Sequence, residues 1–470
     1  GETKETQAMQ RMRFVMIGGF LGALAESVLA DLPHHLEGQR VLLPRGQDAS
    51  EELPAGLAQR GAHVLPIVLY RKVLRPRDGN LDSELTPADL GYEACRMALK
   101  NAGLQIDDDL VRRAAGKPVR VASKSLRVPD LLRRALAHDG FSGVLAYTLR
   151  EALWLHEHEV SDDILVAYPT VDRGALTELV GSPSAAARIT LMVDDEAHLD
   201  LVDSVRSSRA VPVRVALDID AGLRMGGQHV GPKRSPLHDA AQVVALAQAV
   251  EGRGGFHLVG AMTYEGQVAG LADEVPGQPA RSLVVRRIKS MSINQVEARR
   301  RVIAAALAEV TTLEFWNAGG SGSLESSAAS PVVTDVTAGS GLLGPVLFDH
   351  YRDFAPRPAS FFALPVVRRP SAQVATVHGG GLVASGPGGA DRLPTPWAPP
   401  GLQLTGLEGA GEVQTPLTGP AAGLLEIGDL VWFRHAKSGE PFEHTNTVHL
   451  LSGGGFVDEV ATYRGHGLVF

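Results

Sequence analysis

Between residues 119 and 339, short runs of β-branched and apolar residues alternate with segments of helical periodicity. Eight strands that alternate with helices predict a (β/α)8 barrel of the TIM type. A doubly wound open sheet is the competing fold, but eight units in a row favour a closed barrel. The predicted strands are Val119–Ser123, Gly143–Tyr147, Ile164–Tyr168, Arg188–Asp194, Val213–Asp220, Leu258–Tyr264, Leu313–Gly319 and Val332–Gly339. The helix-patterned segments include Pro129–His138, Leu149–Glu157, Glu196–Ser207, His238–Val250 and Asn294–Ala308.

After about residue 345 the pattern changes to Gly/Pro-rich turns and short alternating runs, which predict an all-β domain. Its predicted strands are Gln373–His378, Val383–Ser385, Asp429–Arg434, Thr447–Leu451 and Phe456–Val457. We therefore expect an α/β chain in three parts. These are an irregular N-terminal α/β segment (1–106) whose role the pattern leaves open, a barrel (107–345) and a C-terminal β-domain (346–470).

The N-terminal segment carries fragments of different patterns. A strand at Phe14–Ile17 precedes a glycine-rich turn that is similar to the start of a P-loop, but Ala23-Leu24-Ala25 replaces the required Gly-Lys-Ser/Thr. Residues 40–70 resemble a βαβ segment of uroporphyrinogen-III synthase, an enzyme of two domains of which this is one fragment. A linker over 74–90 and an amphipathic helix over 92–104 follow.

The apolar run Phe14–Ala30 has two interpretations. Its length is at the lower limit for a membrane-spanning helix, and the basic residues before it together with the small residues at 23–25 resemble a secretory signal over 11–25. A buried strand followed by a turn and a helix is the simpler interpretation. We therefore expect a cytoplasmic protein without a membrane partner.

The amino-acid composition excludes or disfavours several kinds of partner and site. The 470 residues carry 45 basic and 53 acidic side chains, a net charge of -8, which disfavours nucleic acid as the main partner. The single cysteine, Cys95, excludes an internal disulfide, a four-thiolate zinc site and an iron–sulfur cluster. Only eight of the basic residues are lysines.

One of these lysines lies where a barrel enzyme carries its chemistry. Active sites of such barrels form at the C-terminal ends of the strands, and Lys124 directly follows the first predicted strand. An ion pair with a strand-end aspartate is the purely structural alternative for such a lysine. Other polar residues at predicted strand ends are Tyr147, Tyr168, Asp218, Asp220, Arg224, Tyr264 and Glu265.

A glycine-rich loop, Gly319-Gly320-Ser321-Gly322-Ser323, follows the seventh predicted strand. Its glycines allow close approach of backbone N–H groups and its serines add hydroxyl donors, at the place where barrels commonly bind phosphate. An ordinary βα turn is the alternative. A strand-end lysine together with a phosphate loop indicates pyridoxal 5′-phosphate, whose aldehyde forms a Schiff base with a lysine amine.

Four segments resemble, in chain order, the fold-type III pyridoxal-phosphate enzymes: Arg120–Ser125, Asp220–Gly226, Met262–Tyr264 and Gly319–Ser323. Within that class, residues 107–470 are most similar to the D-threonine aldolase and D-serine dehydratase group, also described as amino acid deaminases/aldolases with an alanine racemase-like barrel. The resemblance implies that Lys124 holds the cofactor, Arg224 lies near its pyridine nitrogen and Tyr264 borders it. It further implies that Gly319–Ser323 bind the phosphate, and that the protein acts as a homodimer.

The resemblance also implies a divalent zinc or manganese ion in the β-domain, where relatives carry His-x-Cys or His-x-Asp. Here the matching residues are His435-Ala436-Lys437, and an ammonium group cannot ligate a metal. His435 is the candidate ligand, which Glu443, His444 and His449 could complete as an altered site. Polar residues of solvent-facing strands are the alternative interpretation of these side chains. Ala122 and Leu126 also stand where relatives carry histidines near the lysine.

The function that the resemblance implies is that of a lyase on D-configured β-hydroxy amino acids, by retro-aldol cleavage or by dehydration and deamination. An amino-acid racemase and a non-catalytic pyridoxal-phosphate-binding protein are the alternatives. The complete β-domain disfavours the second, because small carriers of this type lack one.

Overall fold

A computed structural model of the chain describes residues 13–18, 40–45, 63–68, 106–207, 211–452 and 455–470. Three N-terminal strands fall in these ranges: β1 (Arg13–Gly18), β2 (Arg40–Arg45) and β3 (His63–Val68). Strands β2 and β3 pair in parallel as a two-stranded sheet, as the βαβ pattern predicts. The predicted turn at 19–22, the rest of the apolar run, the linker and the helix patterns at 49–61 and 92–104 lie outside the described residues.

The chain divides into two compact units. The first comprises residues 1–105, 343–347 and 357–465, and the second comprises 106–342, 348–356 and 466–470. In the described part of the chain, no helix combines the length and the apolar character that crossing a membrane requires.

Eight strands of the second unit close into a parallel barrel, so the predicted fold is confirmed. Its strands, with the hairpin β9–β10 inserted after the fifth, are β4 (Val119–Ala122), β5 (Phe141–Ala146), β6 (Ile164–Val166), β7 (Ile189–Val193), β8 (Val213–Asp218), β9 (Leu223–Met225), β10 (Gln228–Val230), β11 (Phe256–Thr263), β12 (Phe315–Ala318) and β13 (Asp335–Ala338). Strand β13 pairs with β4 and completes the closure.

Helices alternate with these strands, as a (β/α)8 pattern requires. They are α1 (Ile106–Arg113), α2 (Pro129–Leu136), α3 (Leu149–Glu157), α4 (Arg173–Gly181), α5 (Pro183–Arg188), α6 (Glu196–Asp203), α7 (Ala240–Gly252), α8 (Gly266–Ala269), α9 (Pro279–Ala308), α10 (Leu324–Ala328) and α11 (Ser340–Leu343). Local sequence explains several starts: Asp239 and Gln242 form a capping box at α7, and Pro129 and Pro183 occupy first-turn positions of α2 and α5.

Apolar side chains fill the barrel interior in layers. Leu165, Met192, Ala216 and Met262, from four consecutive strands around the barrel, form one buried cluster. Because side chains alternate along a strand, the residues two positions further on also point inward, one layer closer to the C-terminal ends. At β7, β8 and β11 these residues are Asp194, Asp218 and Tyr264.

The first unit contains a nine-stranded sheet that is mostly antiparallel. Its strands besides β1 are β14 (Ser360–Ser371), β15 (Val374–His378), β16 (Thr395–Ala398), β17 (Gln403–Leu404), β18 (Gln414–Thr418), β19 (Leu430–Arg434), β20 (Thr447–Ser452) and β21 (Gly455–Ala461). Phe361, Ala363, Ala398, Trp432 and Leu451 form a buried core cluster on it. The predicted strand Val383–Ser385 is instead irregular, and β14, β16, β17 and β18 were not predicted.

The N-terminal strand β1 lies inside this sheet. It pairs antiparallel with β14, from Arg13 opposite Ala363 to Met16 opposite Ser360. On its other side it pairs in parallel with β20, where Phe14 lies opposite Val448. The N-terminal segment, whose role the sequence left open, therefore supplies a central strand to the β-sheet.

Candidate active site

The C-terminal end of β4 presents Lys124 on a 3₁₀ turn, Ser123–Ser125. The serines on either side are buried, whereas the lysine side chain is exposed. Ser123 Oγ donates to the carbonyl oxygen of Leu145 at 3.1 Å, and Ser125 Oγ lies 3.1 Å from Ser340 Oγ. These two contacts fix the turn to neighbouring strand ends, so the amine that projects between them has a defined position.

The Lys124 amine contacts the phenol of Tyr168, which follows β6. Lys124 Nζ donates to Tyr168 Oη at 3.0 Å. Burial acts to raise the pKa of Tyr168, but the Lys124 ammonium and the Arg234 guanidinium outweigh it and hold that pKa below its ordinary value. Arg234 also lies 5.6 Å from the centroid of this ring. Lys124 and Arg234 therefore both act on the Tyr168 phenol.

Tyr264, at the end of β11, lies near both Arg234 and the glycine-rich loop. The Arg234 guanidinium lies 5.7 Å from the centroid of the Tyr264 ring. Burial raises the pKa of the Tyr264 phenol, so this group is neutral at physiological pH. A Cβ at Gly320 would come within 3.2 Å of Tyr264 Cε2 and 3.3 Å of Ala269 Cβ. The loop backbone therefore passes close to this ring.

The loop itself, Gly319–Ser323, folds into a turn. Gly319 adopts a φ of +87°, a conformation that favours glycine. The Ser323 N–H donates to the Gly320 carbonyl at 2.9 Å, and the Gly320 N–H donates to Ser323 Oγ at 3.1 Å. Within the described residues, the backbone N–H groups of Ser321 and Gly322 have no hydrogen-bond partner. Two adjacent N–H groups without partners form a binding place for an anion.

A buried ion pair anchors this loop. Glu265 accepts hydrogen bonds from Ser323 Oγ at 2.9 Å and from Ser327 Oγ. Arg300, on α9, pairs with the other carboxylate oxygen of Glu265 at 2.8 Å and donates to Thr263 Oγ1 at 2.8 Å. Because each charged group has partners, the pair holds the loop against the end of β11.

A second glycine turn meets the loop. The Gly341 N–H, at the start of α11, donates to Ser321 Oγ at 2.9 Å. At Gly339 a Cβ would lie 2.7 Å from the carbonyl oxygen of Ala122 and 2.9 Å from Ser125 Oγ. Only glycine therefore allows the end of β13 to approach the turn that carries Lys124.

Arg224, predicted to lie near the pyridine nitrogen, belongs to a polar network on the hairpin after β8. Its guanidinium lies 3.4 Å from Asp220 Oδ2 and is half exposed. Asp220 also contacts His229 Nε2 at 3.1 Å and His238 Nδ1 at 3.2 Å. Burial acts to raise the pKa of Asp220, but hydrogen bonds from the Gly222 N–H and His229 outweigh it and lower that pKa.

His435, predicted as a metal ligand, is buried in the first unit. Its Nδ1 lies 3.1 Å from the Ser360 carbonyl oxygen and its Nε2 lies 3.0 Å from Ser438 Oγ. Burial, with the adjacent Arg434, lowers the pKa of His435 to about 3. Across the described residues, no three His, Cys, Asp or Glu side chains form a set that could hold a metal ion. These residues therefore do not fit a divalent metal.

The described residues do fit pyridoxal phosphate. The exposed amine of Lys124 suits an aldehyde, and the partnerless N–H groups of Ser321 and Gly322 suit a phosphate. Gly320 leaves room beside Tyr264 that a side chain would fill.

The sequence missed several residues of this site. Arg234 lies in a loop without a pattern, and Arg300 lies on a helix whose partner Glu265 is distant in sequence. The Gly339–Gly341 turn could have been found from the sequence, because it repeats the Gly-Ser-Gly pattern of Gly320–Gly322 after a predicted strand. Asp194 also ended a predicted strand, at the position where site residues were expected.

Comparison with known proteins agrees with this architecture. The chain is 26% identical over 222 residues to D-threonine aldolase of Arthrobacter sp., which covers 47% of this chain and 52% of that relative. The chain thus spans about half the length of this curated relative. A D-threonine aldolase structure from Filomicrobium marinum superposes with a TM-score of 0.62 at 20% identity, over 78% of this chain and 93% of the other. D-threo-3-hydroxyaspartate dehydratase from Delftia sp. HT23 superposes with a TM-score of 0.59 at 18% identity, over 76% and 94%.

A closed barrel with a strand-end lysine and a β-sheet unit defines the class of fold-type III pyridoxal-phosphate enzymes, as the sequence resemblance predicts. The family model for the alanine racemase N-terminal domain matches residues 109–344, half of the chain, and this protein belongs to that family. A second family model, for uroporphyrinogen-III synthase, matches residues 8–90.

Proposed function

We propose that this protein is a pyridoxal-phosphate-dependent lyase that acts on D-configured β-hydroxy amino acids. The observation that carries the proposal is the contact of the strand-end amine Lys124 Nζ with Tyr168 Oη, 3.0 Å apart, beside the glycine-rich loop. The names of the similar proteins, an aldolase of D-threonine and a dehydratase of D-threo-3-hydroxyaspartate, support this substrate class.

In this proposal Lys124 would hold the cofactor through its aldehyde and Gly319–Ser323 would hold its phosphate. Tyr264 would border the ring, and Arg224 would lie at the pyridine nitrogen. When bound, pyridoxal phosphate supplies an electron-withdrawing group that is joined covalently to the substrate nitrogen and weakens the bonds at Cα.

The residues of the site supply proton transfers. An ammonium group is not a nucleophile, so Lys124 must lose a proton before it can bind an aldehyde. The lowered pKa of Tyr168 favours its phenolate, and this phenolate Oη, hydrogen-bonded to Lys124 Nζ, is placed to accept that proton and become the neutral phenol. The Arg234 guanidinium stabilises the phenolate before the transfer.

The neutral Lys124 amine is a base that can act on the substrate. Removal of a proton from the β-hydroxyl leads to cleavage between Cα and Cβ, which yields glycine and an aldehyde. Removal of the α-proton leads instead to loss of the hydroxyl group, which yields a keto acid and ammonia. Which of these two protons is removed decides between the two outcomes.

Absorbance spectroscopy of the full chain with pyridoxal phosphate tests the assignment. We expect an imine band that Lys124→Ala abolishes and that Lys117→Ala, which precedes β4 at the opposite end of the barrel, leaves intact. A band that persists in Lys124→Ala would refute the role of this lysine.

Product analysis tests the reaction. With D-threonine and D-serine, an aldehyde identifies an aldolase, whereas ammonia and a keto acid identify a dehydratase. A change of configuration at Cα without either product identifies a racemase and contradicts the lyase proposal.

A further inference from the structure

One acidic side chain of the barrel interior lacks the partners that a buried charge requires. Asp218, the last residue of β8, is only 8% exposed. Within the described residues, no side chain or backbone group donates a hydrogen bond to its carboxyl group, and no cation lies within ion-pair distance. By contrast, the neighbouring Asp194 contacts His198 Nδ1 at 3.3 Å.

The register of the barrel places Asp218 at the floor of the site. Met192 lies opposite Ala216, and both belong to the buried interior cluster. Two residues further along, Asp194 and Asp218 point inward from neighbouring strands, and neighbouring strands lie about 4.8 Å apart. On the other side Asp218 lies opposite Met262, two residues before Tyr264.

Charged and titratable groups surround Asp218 on every packed element. They are Asp194 after β7, Tyr168 after β6, Tyr264 after β11, and Asp220 and Arg234 after β8. Burial, followed by the charge of Asp194, raises the pKa of Asp218 to about 7, and Arg234 opposes this rise. A substantial fraction of Asp218 is therefore protonated at neutral pH.

A neutral carboxyl group carries one O–H donor, which is costly to bury without an acceptor. Both ligands of the proposed reaction carry acceptors for such a donor. Pyridoxal phosphate carries phosphate and phenolic oxygens, and an amino acid carries a carboxylate. An anionic oxygen would satisfy the donor, whereas an ionised Asp218 would repel it.

We propose that the carboxyl group of Asp218 is a ligand-binding donor of this site, which gives its hydrogen bond to an anionic oxygen of the bound cofactor or substrate. This inference rests on the proposed function and extends it to a residue outside the family resemblance. Ligand affinity should then fall as Asp218 loses its proton, by up to tenfold per pH unit above its pKa.

The test measures dissociation constants of the full chain between pH 6 and pH 9. Pyridoxal phosphate titrated into the cofactor-free protein forms the first arm, and D-serine titrated into the cofactor-saturated protein forms the second. Asp218→Asn keeps an N–H donor but cannot ionise, and Asp139→Asn, at an exposed aspartate, is the control. We expect the ratio of the wild-type constant to the Asp218→Asn constant to rise with pH, and Asp139→Asn to match wild type.

The arm in which the ratio rises identifies the source of the oxygen, cofactor or substrate. Asp194→Asn supplies an independent check, because loss of its charge lowers the pKa of Asp218 and should move the onset of weakened binding to lower pH. Parallel profiles for wild type and Asp218→Asn in both arms would overturn the inference while leaving the proposed function intact. Absence of any wild-type imine band would instead refute the proposed function, and this inference with it.

Discussion

Three carboxylates in the barrel differ because their surroundings differ. Glu265 is paired with Arg300 and hydrogen-bonded by two serines, and Asp220 accepts from a backbone N–H and histidines. Asp218 has neither kind of partner and lies near another acid. The first two groups stabilise loops through their charge, whereas the third is stable in its neutral form.

The pH dependence of stability should report this difference. The pKa of Asp218 rises from an ordinary 3.8 to about 7 on folding, so the folded state binds more protons between these values. Its contribution to the free energy of unfolding is therefore fully favourable below pH 3.8. This contribution, roughly 4 kcal/mol, is lost as pH rises through 7. We expect the shift in melting temperature that Asp218→Asn causes to be more positive at pH 9 than at pH 5. An equal shift at both values would contradict the raised pKa.

Loss of the Glu265 charge should release the glycine-rich loop. Glu265→Gln leaves the buried Arg300 guanidinium without a counter-ion, which costs about 3–5 kcal/mol. Ser323 and Ser327 also lose a charged acceptor. Thermal unfolding should show the destabilisation, and the affinity for pyridoxal phosphate should fall. Glu297→Gln is the control, at a partly buried glutamate that pairs with Arg301 on the helix that also carries Arg300, and an equal effect there would contradict the anchoring role.

At the scale of elements, hydrophobic patterns predicted the barrel strands because most of their residues are buried on both faces. The runs at Ile189–Val193 and Val213–Asp218 are examples. Since strand ends converge in a barrel, Lys124, Tyr168 and Tyr264 could be grouped from sequence alone. Strand β14 was missed because Pro365 and two arginines interrupt its apolar pattern. The contact of Glu265 with Arg300 depends on distant segments, so no local pattern predicts it.

The close approach of β13 to the Lys124 turn gives a prediction at this scale. Gly339→Ala would place a methyl group 2.7 Å from a backbone oxygen of β4, and such overpacking costs about 1–3 kcal/mol. We expect a weaker imine band because the turn that carries Lys124 must shift. A Cβ at Gly252, at the end of α7, would meet no described atom within 4 Å, so Gly252→Ala should be neutral or slightly stabilising. Equal imine bands in both variants would contradict this contact.

At the scale of the whole molecule, strand β1 joins the N-terminal segment to the unit that contains the C-terminal sheet. The proposed cofactor residues all lie between 106 and 342, in one compact unit, whereas β1 belongs to the other. A strand more than 300 residues from its partners along the chain cannot be assigned to a sheet by local periodicity, which explains why the role of residues 1–106 was left open.

Proline at Val15 tests this placement. Val15 lies opposite Phe361 on one side and His449 on the other, so β1 is a central strand. Proline lacks the N–H group that a ladder needs and is excluded from central strands. Each backbone group left unpaired costs about 1–3 kcal/mol. Val15→Pro should therefore increase hydrogen exchange and proteolytic cleavage in β14 and β20, whereas Val15→Thr, which keeps the N–H and the β-branch, should not.

The same variant tests whether cofactor binding in the barrel unit depends on the β-sheet unit. Because Lys124 and the glycine-rich loop belong to the barrel unit, the imine band of Val15→Pro should persist under conditions where the β-sheet is cleaved. Unchanged exchange in β14 and β20 would show that β1 does not contribute to the sheet. Loss of the imine band together with the sheet would show instead that cofactor binding depends on the β-sheet unit, and the residues of the barrel would then be insufficient to hold the cofactor.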